Sequence, residues 1–149
     1  MRLTDDQMEA MLANLIDAAA AFDPAATFLG VATALDDQGP ITDLADVTQA
    51  TGAMATRQAL TTWGAPYKMA DGRWVADSPL RIFSPASAAE AQIITHWFYA
   101  SLAVAGVLMA WGELADPVSL PDENANLNIV PRITLDPDGR WSAEVVFNG

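Results

Sequence analysis

The sequence predicts a mainly β protein, an antiparallel β-sandwich with one N-terminal α-helix. Short apolar stretches of strand length alternate with turn residues over 26–147, a texture typical of sandwiches and barrels. A helical apolar pattern is confined to residues 4–22. With 149 residues and no internal repeat, the chain is expected to fold as one domain over 1–149.

The N-terminal helix is predicted over residues 4–22. Thr4 and Gln7 have the spacing of a capping box, and two aspartates follow Thr4 in the first turn, where the helix dipole favours anions. Asp23-Pro24 ends the pattern, because a residue before proline is disfavoured in the α region. This helix is expected to cover an open side of the domain or to dock on a neighbour. Its apolar face consists of Met8, Met11, Leu12, Leu15, Ile16 and Ala19.

The predicted strands follow one another between turn signals. They cover 26–35, 55–63, 73–76, 80–83, 91–99, 107–114, 118–120, 127–135 and 141–147, and 41–54 is interpreted as a turn of helix followed by irregular chain. Gly30 indicates a bulge or a close approach within the first strand. Pro131 indicates that its strand lies at an edge or a bulge. Strands 91–99 and 107–114 are expected to pair across the segment 100–106.

Composition argues against several classes of function. The chain has 19 acidic and 7 basic residues, a formal charge of −12, whereas nucleic-acid binding needs clustered Lys and Arg. It has no cysteine, so disulfides, thiolate metal sites and Cys nucleophiles are excluded. The longest uncharged apolar run, 97–111, is shorter than the roughly 20 residues of a membrane-spanning helix. Neither a nucleic-acid partner, a membrane nor a targeting segment is therefore expected.

No catalytic site or cofactor is predicted. His96, the single histidine, lies between Thr95 and Trp97 on an apolar strand, and the chain has neither a Gly-x-Ser-x-Gly elbow nor a Gly-rich phosphate loop. A packed histidine is the simpler interpretation of such a position. Oxygen ligands for Ca²⁺ are available on Asp36, Asp37, Asp43 and Asp46. Their spacing is not that of an EF-hand, so solvated acidic loops are favoured over a metal site, there and at 122–124.

Aromatic residues and one apolar turn indicate a function in binding to other molecules. Tryptophans are enriched in cores and in interfaces, and most of the five are expected in the core. They are Trp63, Trp74, Trp97, Trp111 and Trp141. The segment 100–106 is apolar for a hairpin tip, although loops usually lie at the surface. The predicted interface residues are Leu102 and Val104 at this tip, Trp97 and Tyr99 on the strand before it, and Met8 and Leu12 on the helix.

Several segments, taken in order, carry a resemblance to a known family. They are 27–34 (TFLGVATA), 56–60 (TRQAL), 63–66 (WGAP), 80–83 (LRIF), 94–97 (ITHW) and 107–114 (VLMAWGEL). In this order they resemble the small virion structural proteins of tailed bacteriophages, the family of tail fibre and capsid decoration proteins. Ala91-Gln92 departs from the family's Trp-Gly, 122–124 replaces its Gly-Asp turn, and 136–149 extends beyond it.

The resemblance implies a non-enzymatic β-sandwich, the jelly roll being one form of it, that is located in the virion after assembly in the host cytoplasm. The favoured role is that of a capsid cement protein. Such a protein binds the major capsid protein and copies of itself, often as a trimer, and stabilises the outer shell. One alternative is a tail fibre, baseplate or tail adaptor component that binds other tail proteins. Another is a host-surface or glycan-binding module with exposed tryptophans as sugar platforms.

Overall fold

The computed structural model describes residues 2–3, 27–36, 39–138 and 141–147. The helix predicted over 4–22, with Met8 and Leu12, lies outside these residues. The strands of the described residues are β1 (Arg2–Leu3), β2 (Phe28–Leu35), β3 (Val47–Gln49), β4 (Gln58–Ala59), β5 (Tyr67–Lys68), β6 (Trp74–Asp77), β7 (Arg81–Phe83), β8 (Gln92–Ala100), β9 (Leu108–Leu120), β10 (Leu127–Leu135) and β11 (Trp141–Phe147). Short 3-10 turns lie at Leu44–Asp46, Gly52–Ala55 and Ala88–Glu90.

These strands form two antiparallel sheets. The larger has the order β1-β9-β8-β2-β3, with β4 also paired to β2, and the smaller has the order β11-β10-β6-β5, with β7 also paired to β10. One core cluster draws side chains from both sheets, among them Leu29, Trp97, Tyr99, Leu114, Leu127, Ile129, Ile133 and Ala143. Two antiparallel sheets around a shared apolar core are the arrangement of a β-sandwich. The mainly β prediction is confirmed.

Two adjacent aromatic residues hold the middle of the larger sheet. Trp97 and Phe98 are neighbours in β8 and therefore point to opposite faces. Each lies directly across from a glycine, Phe98 from Gly30 in β2 and Trp97 from Gly112 in β9. A Cβ atom at either glycine would overlap the ring of its aromatic partner. The close approach predicted at Gly30 is confirmed, and the sheet needs glycine at both positions.

The predicted strand over 55–63 is wrong for most of its length. Only Gln58–Ala59 pairs, with β2, because the 3-10 turn at Gly52–Ala55 precedes it and the chain runs irregularly after it. Leu60 and Trp63 nevertheless pack on the core. Apolar side chains in this segment are buried without a ladder of backbone hydrogen bonds.

Two prolines lie inside strands, although the sequence predicts an edge or a bulge at Pro131. Pro131 lies in β10, which is paired on both sides and is not an edge. Its carbonyl accepts a hydrogen bond from Ser78 N at 2.9 Å, in the gap between β6 and β7. Because N and C=O of one strand residue point to the same side, the missing N–H faces this gap and costs no ladder bond. Pro117 lies in β9, which joins the two strands predicted at 107–114 and 118–120.

Candidate interaction surface

The β8–β9 tip, residues 101–107, is a turn closed by hydrogen bonds between its two ends. Ser101 N donates to Val107 O at 3.0 Å, and Val107 N donates to Ser101 Oγ at 2.8 Å. Ala105 and Gly106 both adopt left-handed backbone angles, with φ of 57° and 82°. A Cβ at Gly106 would lie 2.7 Å from Ser101 Oγ and 3.0 Å from Leu102 Cβ. The turn therefore requires glycine there, for both its conformation and its close packing.

A buried arginine holds this tip from the inside. Arg57 Nη1 donates to Leu102 O at 2.8 Å and to Ala105 O at 2.6 Å. Its Nε and Nη2 donate to Gln49 Oε1 at 3.3 and 3.1 Å, and the guanidinium lies 5.4 Å from the centroid of the Phe98 ring. Arg57 is only 7% exposed, and this burial lowers the pKa of its guanidinium. Uncharged oxygen atoms thus accept the hydrogen bonds of this buried cation, and two of these atoms are backbone carbonyls of the tip.

The side chains of the tip point the other way, into solvent. Leu102 is 54% exposed, Val104 is 81% exposed and Val107 is 41% exposed. The backbone of the tip is bonded from within at Ser101, Leu102, Ala105 and Val107, and the surface that these side chains offer is apolar. A rigid apolar surface loses little conformational entropy when it docks on another protein. Leu102 and Val104 are thus exposed where the sequence predicts an interface.

Trp97 and Tyr99 occupy a different environment. They are 3% and 1% exposed in the core between the sheets, with ring centroids 5.2 Å apart. Tyr99 Oη donates to Glu144 O in β11 at 2.8 Å, which joins the larger sheet to the smaller one. Burial raises the pKa of the Tyr99 hydroxyl. Their burial places both residues outside the surface that Leu102 and Val104 form, a correction to the predicted interface set.

His96 is half-buried in β8 opposite Glu113 and Ala32. Its Nδ1 lies 2.6 Å from Thr95 Oγ1. Burial lowers the pKa of the imidazole, and the negative charge of Glu113 opposes this effect. The ring is therefore mainly neutral at pH 7.

The acidic residues of the 39–46 segment cap a turn. Asp43 Oδ1 accepts from Ala45 N at 2.8 Å, and Asp46 Oδ2 accepts from Thr42 N at 2.8 Å and from Asp43 N at 3.0 Å, which is a capping box. These bonds lower the pKa of Asp46. Within the described ranges, no group of three or more His, Asp or Glu side chains is placed to hold a metal ion. Asp37 lies outside those ranges.

The sequence predicts the tip but not the residues that hold it. Arg57 stands in the sequence only as part of the 56–60 segment, with no predicted role of its own. One signal does single it out, since no Asp or Glu occurs between Asp46 and Asp71 in an otherwise acidic chain. A cation without nearby carboxylates must find neutral acceptors if it is buried. Which acceptors these are depends on the packing of distant segments.

No protein-family model matches the chain, and no curated protein matches its sequence. In the part of the chain that the structure describes, no helix is both long and apolar enough to cross a lipid bilayer.

Proposed function

We propose that this protein is a non-catalytic assembly domain that docks through its β8–β9 tip on the surface of another protein. The observation that carries the proposal is the combination of three outward apolar side chains with a backbone bonded from within by Arg57. Solvated loops are normally polar. An apolar loop held in one shape is typical of an anchor that fills a complementary pocket.

The partner that we propose is the major capsid protein of a tailed bacteriophage, which makes the domain a cement protein. The segments that carry the resemblance support this choice by their order along the chain. The formal charge of −12 suits the outer face of a shell, where nothing needs to contact DNA. The jelly-roll form of the sandwich and self-association as a trimer remain predictions of the same resemblance, and the helix over 4–22 remains a prediction from the residue pattern.

Binding of the tip is tested with the double variant Leu102→Asp/Val104→Asp. The purified full chain is mixed with capsid shells that lack it, and the bound fraction is measured by co-sedimentation. We expect the variant to keep the wild-type circular dichroism spectrum and to lose binding, since two carboxylates would have to be desolvated in an apolar contact. Size-exclusion chromatography of the same samples reports self-association.

The matched control is Ile82→Asp/Ile93→Asp, which changes side chains that are 52% and 53% exposed elsewhere on the sheets. We expect this control to bind shells as the wild type does. Equal binding by the tip variant would refute the docking surface. Unfolding of the tip variant alone would show that the tip belongs to the domain's own core.

The location in the particle is tested by the copy number. A cement protein occurs in proportion to the capsid subunits, whereas a tail component occurs in few copies, and particles without a cement protein release DNA at lower temperature. Few copies and unchanged heat tolerance would favour the tail alternative.

The glycan-binding alternative is supported by one observation, the exposed Trp74 side chain, which is 48% accessible to solvent. This alternative predicts that the protein binds sugars and that Trp74→Ala abolishes the binding.

A further inference from the structure

A cleft opens where β8 and β9 fall out of register. His96 pairs with Glu113 and Ile94 pairs with Val118, so the four residues 114–117 face Thr95 alone. Because four residues of β9 lie opposite a single residue of β8, they cannot all pair with it, and β9 bulges away from β8 at this point. Pro117 lies in this bulge, where its lack of an N–H costs no ladder bond.

The bulge leaves a cavity of about 470 Å³ between the two sheets. Pockets for small ligands have volumes of about 300–1,000 Å³. Its lining comes from both sheets and is mainly apolar, with Trp97, Leu114, Ala115 and Val118 from the larger sheet and Val145 from the smaller one. Trp97 and Leu114 belong to the core cluster, on which Val118 and Val145 also pack. The cavity is therefore an apolar opening that reaches the core.

Two exposed carboxylates, Glu113 and Asp116, complete the lining, which contains no basic residue. The ion pairs within the described ranges use Arg73 and Arg132, and neither Glu113 nor Asp116 takes part in one. His96, across from Glu113, has a pKa lowered by burial and supplies little positive charge at pH 7. The cleft thus combines an apolar floor with negative charge that the described residues leave unneutralised.

We propose that this cleft binds an arginine or lysine side chain that a partner protein presents. The alkyl part of such a side chain lies on Ala115, Val118 and Val145, above the buried Trp97 and Leu114, and its cationic end stays hydrated next to the carboxylates of Glu113 and Asp116. Long basic side chains favour this arrangement, because their stems are apolar while their heads stay charged and hydrated. The site is separate from the β8–β9 tip and does not depend on it.

The test is an NMR titration of the full chain with N-acetyl-arginine methylamide. We expect shifts of the Trp97 indole N–H and of the methyl groups of Leu114, Val118 and Val145. The citrulline analogue has the same shape without the charge, and we expect it to bind at least about threefold more weakly, since exposed ion pairs contribute modestly. Glu113→Gln/Asp116→Asn should weaken arginine binding by a similar factor.

The matched control is Asp122→Asn/Glu123→Gln, which removes the same charge from the β9–β10 loop and should leave binding unchanged. Equal affinity for the arginine and citrulline compounds would show an apolar occupant and overturn the proposal. If both double variants lost the same affinity for the arginine compound, net charge alone would explain the effect, and the proposal would also be overturned. Absence of shifts at the cleft with the compound in large excess would exclude the site altogether.

Discussion

Replacement of Arg57 by Met tests whether the shape of the tip is held from inside. Methionine keeps an unbranched chain beside Phe98 but removes every donor of the guanidinium. The carbonyls of Leu102 and Ala105 and the side-chain oxygen of Gln49 then lose the hydrogen bonds of 2.6 to 3.3 Å that Arg57 donates. Leu102 and Val104 themselves are not altered.

The expected loss of stability is about 2–3 kcal/mol. Hydrogen bonds to a charged group contribute about 1.5–3 kcal/mol, and the contact with the Phe98 ring adds about 0.5–1 kcal/mol. Two effects offset part of this sum. A buried cation no longer has to be desolvated, and the carbonyls near the exposed end of the tip can bond to water instead.

Urea unfolding of the wild type, Arg57→Lys and Arg57→Met measures this loss. Lysine keeps the charge but cannot reproduce the planar fork of the guanidinium, so we expect an intermediate stability. Amide hydrogen exchange should accelerate at Ser101 and Val107 in the Met variant, whose N–H groups close the tip. Binding to capsid shells should weaken as well, because an apolar surface that has to be ordered on docking binds less well.

A loss below about 0.5 kcal/mol, the scale of an ordinary surface substitution, together with unchanged exchange at Ser101 and Val107 would refute this reasoning. The tip would then be held by its own Ser101–Val107 hydrogen bonds and by its left-handed residues. A stability loss without any change in shell binding would instead separate the fold of the tip from its proposed role.

Three further predictions follow from the core and from one loop. Tyr99→Phe should lower the free energy of unfolding in urea by about 1–2 kcal/mol, because the partly buried Glu144 carbonyl of β11 loses its donor; unchanged stability would exclude a contribution from this hydrogen bond between the sheets. Gly30→Ala and Gly112→Ala should each cost about 1–3 kcal/mol by overpacking an aromatic ring, whereas Gly39→Ala, with nothing within 4 Å of its added Cβ, should stay within about 0.5 kcal/mol; three equal losses would contradict the packing. Glu90 has its pKa lowered from 4.5 by two backbone N–H donors, so its contribution to stability is present above pH 4.5 and lost as the pH falls through the lowered pKa. The thermal unfolding temperature, measured from about pH 6 down to about pH 3, should therefore fall more steeply for the wild type than for Glu90→Gln. Parallel pH profiles of the two proteins would show that the Glu90 carboxylate does not contribute to stability.

The apolar tip and the acidic cleft lie at different places along the same pair of strands. The tip joins β8 to β9, and the cleft lies where the two strands are out of register around Thr95. Tip variants and cleft variants can therefore be combined, and distant sites are expected to contribute additively to binding of a partner that contacts both. A partner that contacts one site only would respond to one pair of variants.

The sequence by itself determined the features that depend on neighbouring residues. The bounds of β10 and β11 were predicted as the structure has them, because alternating side chains and the Asp136–Gly139 turn signal are local properties. The β8 strand and the apolar tip after it were predicted for the same reason. The negative charge and the absence of cysteine are likewise properties of composition alone.

The tertiary structure decided the features that depend on register and on partners far along the chain. Whether the strand of Pro131 is an edge depends on the pairing of β6 and β7 with it, and whether 55–63 forms a strand depends on which backbone lies beside it. Trp97 and Tyr99 resemble interface anchors in composition, but the smaller sheet covers them. Arg57 acquires its role only when the tip, 45 and 48 residues further on, brings two carbonyls to its guanidinium. Burial of this charge depends on such distant acceptors, because Gln49, eight residues before Arg57, accepts only from Nε and Nη2 and leaves Nη1 to the tip.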